Sequence, residues 1–184
     1  TMVNMCGMPL NGAFDDQLAV LAALRPEARR LLTIFNPRRL GPTVRDLRQA
    51  IHGRGLELKA YPVRSVEALS AVLSSLREDD FDAFFLLLDP DLFGIEGFER
   101  LLRFTANTEI ALIVPDPSLV EAGGTFSYGP GFREMGAYAG RLIERLFSGA
   151  AEPADLGHRF PTARNFTYNP AETQRLGITI PPEL

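Results

Sequence analysis

The chain has 184 residues, 46% hydrophobic and 23% charged, which suits a globular fold with a sizeable core. Its net charge of −4 and pI near 5.3 provide no basic footprint, which argues against nucleic acid as a partner. Cys6 is the single cysteine, so neither a disulfide framework nor a thiolate metal site can be built.

The apolar run Phe84 to Leu88 is too short to cross a bilayer. No basic segment followed by an apolar one opens the chain, so no signal peptide is visible, and Val3-Asn4-Met5-Cys6 lacks the small residues of a lipoprotein cleavage site.

Apolar runs alternate with amphipathic segments, the pattern of βαβ units and a parallel sheet. Asp15 to Leu24 reads as a helix with Leu18, Leu21 and Ala22 inward, stopped by Pro26. Leu31 to Phe35 is a short strand ending at Asn36-Pro37. Thr43 is placed to cap the next helix, whose stripe is Val44, Leu47 and Ile51 and whose end is Gly53 or Gly55. Leu56 to Val63 is a strand, and Ser65 caps a helix with Val66, Leu69, Val72, Leu73 and Leu76 at helical spacing. Phe81 to Leu88 is apolar almost throughout, as expected of a strand covered on both faces. A helix over Gly94 to Arg103 follows, then strands at Ile110 to Val114 and Thr125 to Tyr128. Asn107 to Glu109 is the expected point where the chain leaves one lobe, dividing it into 1–107 and 108–184.

Open α/β sheets collect ligands beyond the carboxyl ends of their strands, so residues just past each strand are the ones to weigh. Asp89-Pro90-Asp91 is the sharpest candidate: a strand-end carboxylate can accept from a ligand ammonium or hydroxyl. The same aspartates can equally shape the turn or cap the following helix. Asn36 offers an amide, or an Asx-turn before Pro37. Arg38 and Arg39 can clamp a carboxylate or stand solvated. Tyr128 can stack on a flat ligand, and Asp116 follows the strand ending at Val114.

Other constellations fail. Gly123-Gly124 and Gly129-x-Gly131 lack the lysine and hydroxyl of a phosphate loop. His52 and His158 belong to no metal or nucleophile motif, Asp89-x-Asp91 has no third ligand at useful spacing, and no cofactor signature is present. No catalytic site is expected.

Several fragments occur in an order that resembles the solute-binding proteins of ABC importers, in the family of the tryptophan- and tyrosine-binding members. These are VNMCGMP, ALRPEARRLLTIFNP, FDAFFLLLDPDL, IALIVPD, VEAGGTFSYG, the helix around Gly136, PADL and NPAETQRLGITIP. The resemblance implies a type I periplasmic-binding fold: an α/β second lobe of parallel sheet flanked by helices, plus the returning segment of the first lobe. It implies an extracytoplasmic, non-catalytic protein that closes two lobes about a small solute, an amino acid or aromatic or organic acid, and delivers it to an ABC permease. Asn36, Asp89, Asp116 and Tyr128 then face the cleft. Two departures stand out: the α/β segment forming most of the first lobe is absent from this sequence, and Arg38 and Arg39 replace small polar residues. With exposed strand edges, the chain is expected to self-associate. The alternative is a ligand-sensing domain of a signalling protein, coupled to a sensor module. A flavodoxin-like enzyme or phosphoacceptor receiver is disfavoured, since no acidic pair ends the first strand and the single lysine, Lys59, is misplaced.

Overall fold

The computed structural model describes residues 5–9, 11, 13–162 and 164–184; Val3 and Asn4, which open the crossover motif, lie outside the described residues. The elements run α1 (Phe14–Leu24), β1 (Arg30–Phe35), α2 (Pro37–Ile51), β2 (Glu57–Pro62), α3 (Val66–Ser75), a 3-10 turn, β3 (Ala83–Phe85), α4 (Ile95–Ala106), β4 (Ala111–Val114), α5 (Pro117–Glu121), β5 (Phe126–Gly129), α6 (Phe132–Phe147), α7 (Pro153–Leu156), β6 (Asn165–Tyr168) and α8 (Pro170–Arg175). They build one six-stranded sheet of order β2-β1-β3-β4-β5-β6. The first five strands are parallel, and β6 closes the edge antiparallel to β5. β3 and β4, on either side of the division expected near 107, are neighbours in this sheet.

Side chains alternate across a strand, and here both faces are covered, which is why the strands read as nearly continuous apolar runs. Leu31, Phe35, Phe85, Leu87, Ile113 and Phe126 point to one face and pack with Leu18 and Leu21 of α1 and Val44 and Leu47 of α2. Leu32, Ile34, Phe84, Leu86, Leu112 and Val114 point to the other and pack with Leu69 and Leu73 of α3 and Phe98 and Leu101 of α4. Each fully buried Leu, Ile or Phe stabilises by about 1.5–3 kcal/mol relative to exposure, so these two layers dominate the folding energetics.

Two expected boundaries differ from those observed. Thr43 does not start the second helix. Asn36 does: its side-chain oxygen accepts from the Arg38 N–H at 3.1 Å, and Pro37 takes the first helical position, where its missing N–H is not needed. Pro42 is carried inside the helix. The strand expected over Phe81 to Leu88 is also shorter, because β1 and β3 separate toward their carboxyl ends. Their register runs Leu31↔Ala83 and Leu32↔Phe84, after which the Thr33 hydroxyl takes the Phe85 carbonyl at 2.8 Å. Leu86 N–H still reaches the Ile113 carbonyl, whereas Leu88 N–H turns to the Asn11 side chain. The separation opens a crevice.

α6 is amphipathic, yet Met135 is its buried residue while Phe132, Ile143 and Phe147 are exposed. Among the described residues, no helix is long and apolar enough to cross a membrane.

Candidate functional site

The order β2-β1-β3 makes the gap between β1 and β3 a topological switch point, where chain connections leave in opposite directions. A pocket of 340 Å³ lies there, lined by Pro9, Asn11, Arg39, Leu40, Thr43, Leu88, Asp89 and Pro90. Asp89 is only 1% exposed. Its Oδ1 accepts from the Asp91 N–H at 3.2 Å, which makes the Asx-turn, but its buried Oδ2 has no partner among the described residues. Burying a carboxylate oxygen without a hydrogen bond is costly, so such a group marks a place where a donor belongs.

The turn that presents Asp89 is held from two sides. Asn11 clasps Leu88, accepting from its N–H at 2.8 Å and donating to its carbonyl at 3.5 Å. On the other side Gly97, in the first turn of α4, lies directly against Leu92: a Cβ there would fall 1.7 Å from the Leu92 carbonyl oxygen. Only glycine lets Asp89-Pro90-Asp91-Leu92 fold down onto the helix.

Asn11 also lines a second, much narrower cleft beyond β3, β4 and β5, with Phe14, Gln17, Phe85, Pro115, Tyr128 and Phe160 among its walls. Its 10 Å³ admits about one water molecule. Gln17 is buried, its Nε2 donates to the Tyr128 carbonyl at 3.1 Å, and its Oε1 is without a partner among the described residues. Asp89 Oδ2 and Gln17 Oε1 are acceptors that a donor would satisfy, and the buried Ser127 hydroxyl of β5 is likewise without a partner among the described residues.

The expected residues fall into different places. Asp89 lines the switch-point pocket and Tyr128 the narrow cleft. Asn36 caps α2 and so orients the turn carrying Arg39, Leu40 and Thr43. Asp116 caps α5: Oδ1 accepts from the Ser118 N–H at 2.9 Å and hydroxyl at 2.6 Å, and Oδ2 from the Phe132 N–H at 3.1 Å. Both oxygens are thus engaged in tying α5 to the start of α6. Arg38 is exposed, and its neighbour Arg39 is the arginine that lines the pocket. Asn11 and Gln17 escaped the sequence reading. Gln17 sits in the first helix and Asn11 ahead of it, neither at a strand end, and nothing local points either to the site. Among the described residues, no group of three His, Cys, Asp or Glu side chains could hold a metal ion.

A family model described as ABC transporter substrate binding protein matches residues 3–184. The chain belongs to this family. Solved structures agree in fold. A conserved domain protein from Vibrio cholerae superposes with TM-score 0.79 at 17% identity, over 97% of this chain and 60% of that one. An ABC domain in complex with L-Trp from Streptococcus pneumonia gives TM-score 0.76 at 20% identity, over 98% and 59%. A ligand-free, open substrate binding protein with adhesive properties from Clostridium difficile gives 0.72 at 16%, over 96% and 59%. The chain thus spans about three fifths of the length of these family-fold structures. A search of curated proteins found no match.

Proposed function

We propose that this chain captures a small organic solute at the β1–β3 crevice, for delivery to an ABC permease outside the cytoplasm, without converting it. The observation that carries the reading is the buried Asp89, which lines the 340 Å³ pocket at the switch point and whose Oδ2 has no partner among the described residues. Membership of the substrate-binding family supports capture as the task. A ligand ammonium or hydroxyl would supply the bond the protein withholds, and the dry surroundings would strengthen it. An amino acid, or a comparable amine-bearing organic acid, is the proposed solute class. The pneumococcal neighbour's complex with L-Trp points the same way.

In this reading Asp89 meets the solute and Tyr128 provides an aromatic wall, while Asn36 and Asp116 hold the helix starts that shape the crevice. Arg38 stands at the rim. Closure of two lobes about the solute would then enlarge or seal the narrow cleft beside Tyr128.

The test is Asp89→Asn, with titration calorimetry on a solute identified from an amino-acid and organic-amine library. Asparagine preserves the turn but removes the charge, so affinity is expected to fall about ten- to hundredfold while unliganded stability holds. Unchanged affinity would remove Asp89 from the site. Mass spectrometry of the incubated library should show no product; any consumed compound would refute capture without turnover.

A further inference from the structure

The pocket that holds Asp89 carries a positive charge at its mouth, and that charge is already engaged. Arg39 lines the pocket from the first turn of α2, and its Nη1 pairs with the carboxylate of Asp91, next to the pocket-lining Pro90. Asp91 belongs to the same turn as Asp89 and donates its own N–H to Asp89 Oδ1. Both members of the pair are about half exposed, at 52% and 60%. An ion pair in that setting is held weakly, because solvent screens it and two long side chains must be ordered. A guanidinium has five donors in a planar fork, more than one carboxylate occupies.

Resting on the capture reading above, we propose that Arg39 is the anion-recognising residue of this pocket and that Asp91 is its internal competitor. The solute then carries both charges. Its cationic or donor end meets the orphaned Asp89 Oδ2 at the base, and its carboxylate takes Arg39 from Asp91 at the mouth. The charge pattern follows: one pocket is lined both by buried Asp89, with an acceptor that lacks a donor among the described residues, and by Arg39, a cation whose present partner is solvent-screened and replaceable. A solute with an amine alone satisfies the base and leaves Arg39 with Asp91. A carboxylate alone meets Arg39 but brings a second negative charge toward Asp89. A zwitterion of amino-acid type satisfies both, and Asp91 sets how much of that gain is realised.

The experiment uses calorimetry on the full chain with matched probes. These are the common L-amino acids, their carboxamides with the amine alone, the corresponding deaminated acids, and simple alkylamines as controls. The unmodified protein is expected to prefer amino acids to their amides. Arg39→Gln should lower amino-acid affinity about tenfold and leave amide affinity unchanged, as expected for one charge-assisted contact. Asp91→Asn should raise amino-acid affinity several-fold without moving the amides, because it removes the competitor and not a contact. Both side chains are solvent-accessible, and unchanged melting temperatures would show that the variants fold. Equal binding of acid and amide, or an Asp91→Asn variant that binds amino acids no better, would overturn the proposal. The capture reading fails separately: if Asp89→Asn leaves amine and amino-acid binding intact, the base of the pocket is misassigned whatever Arg39 does. Binding of alkylamines and amides but of no amino acid would keep Asp89 and discard Arg39.

Discussion

Asp82 and Asp89 bracket the same strand, β3, one at its amino end and one beyond its carboxyl end, and they are treated in opposite ways. Asp82 is saturated. Its Oδ2 accepts from the N–H groups of Arg29 at 2.7 Å and Arg30 at 2.8 Å, and its Oδ1 pairs with the Arg30 guanidinium at 2.7 Å. Partial burial alone would raise its pKa, but the Arg30 side chain and those two amides outweigh it and hold the carboxyl below its ordinary value. Asp89 is more deeply buried and keeps one oxygen without a partner among the described residues. A surface pocket of 350 Å³ exists at the amino edge too, lined by Arg25, Arg30, Asp79, Phe81, Asp82 and Glu109. There Arg25 is engaged by the carbonyls of Asp82 and Glu109, and Arg30 by Asp82. Pocket volume does not separate the two edges. Unmet hydrogen-bond demand does: one edge is a clasp, the other keeps a buried acceptor without a partner among the described residues.

That contrast can be broken or sharpened by substitution. The largest effect is expected at Gly97, where a Cβ would collide with the backbone of Leu92. Gly97→Ala should cost about 3 kcal/mol or more in urea unfolding, since backbone must move to relieve the overlap. It should also weaken solute binding by displacing the Asp89 turn. Next comes Asp82→Ala, which strips the β1 amides and Arg30 of their acceptor. About 2–3 kcal/mol of stability should be lost, with solute affinity of the folded fraction unaltered. A binding defect in that variant would mean the two edges are not independent.

Acid titration probes the clasp without mutation. A carboxyl whose folded pKa is depressed stabilises the fold at neutral pH, and that contribution is lost as pH falls below about 4 toward the folded value. The unmodified protein should therefore lose more stability between neutral pH and pH of about 3 than Asp82→Asn does. Parallel losses would show that the clasp carries no titrating stability.

Asn11→Ala should cost about 1–2 kcal/mol, because the backbone groups of Leu88 lose their side-chain partner. Here binding should suffer as well, since Asn11 stands between the two clefts. The smallest stability change belongs to Asp89→Asn. Replacing an uncompensated buried carboxylate should leave stability level or raise it by about 1 kcal/mol. A loss as large as that of Asp82→Ala would show that Asp89 is a structural clasp like its counterpart.

Much of this architecture was legible before any coordinates. Short apolar runs, period-3.6 stripes, a Ser65 cap and glycines after Ile51 are local signals, and the strands and helices they imply agree with the observed ones within one residue in most places. α4 runs on to Ala106 beyond its expected end, and the antiparallel β6 carried no signal strong enough to be expected. The apolar run FDAFFLLL also announced a strand buried on both faces, though not where its pairing stops.

What tertiary structure alone decided is where the strands stand relative to one another, and with that the site. Chain order does not reveal that β1 sits between β2 and β3, yet this arrangement creates the switch point. Of four strand-end polar residues placed by the same rule, Asp116 has both oxygens occupied, Asn36 caps a helix, Tyr128 walls a narrow cleft and Asp89 is left wanting a donor. Their residue types and positions past a strand are similar; their unmet hydrogen bonds are not. Asn11 meets Leu88 across 77 residues and Gln17 meets Tyr128 across 111. Local propensity sets the elements because it acts over one or two turns of chain. A buried group's partners are set by packing between distant segments, so the difference between a satisfied and an orphaned carboxylate exists only in the folded molecule.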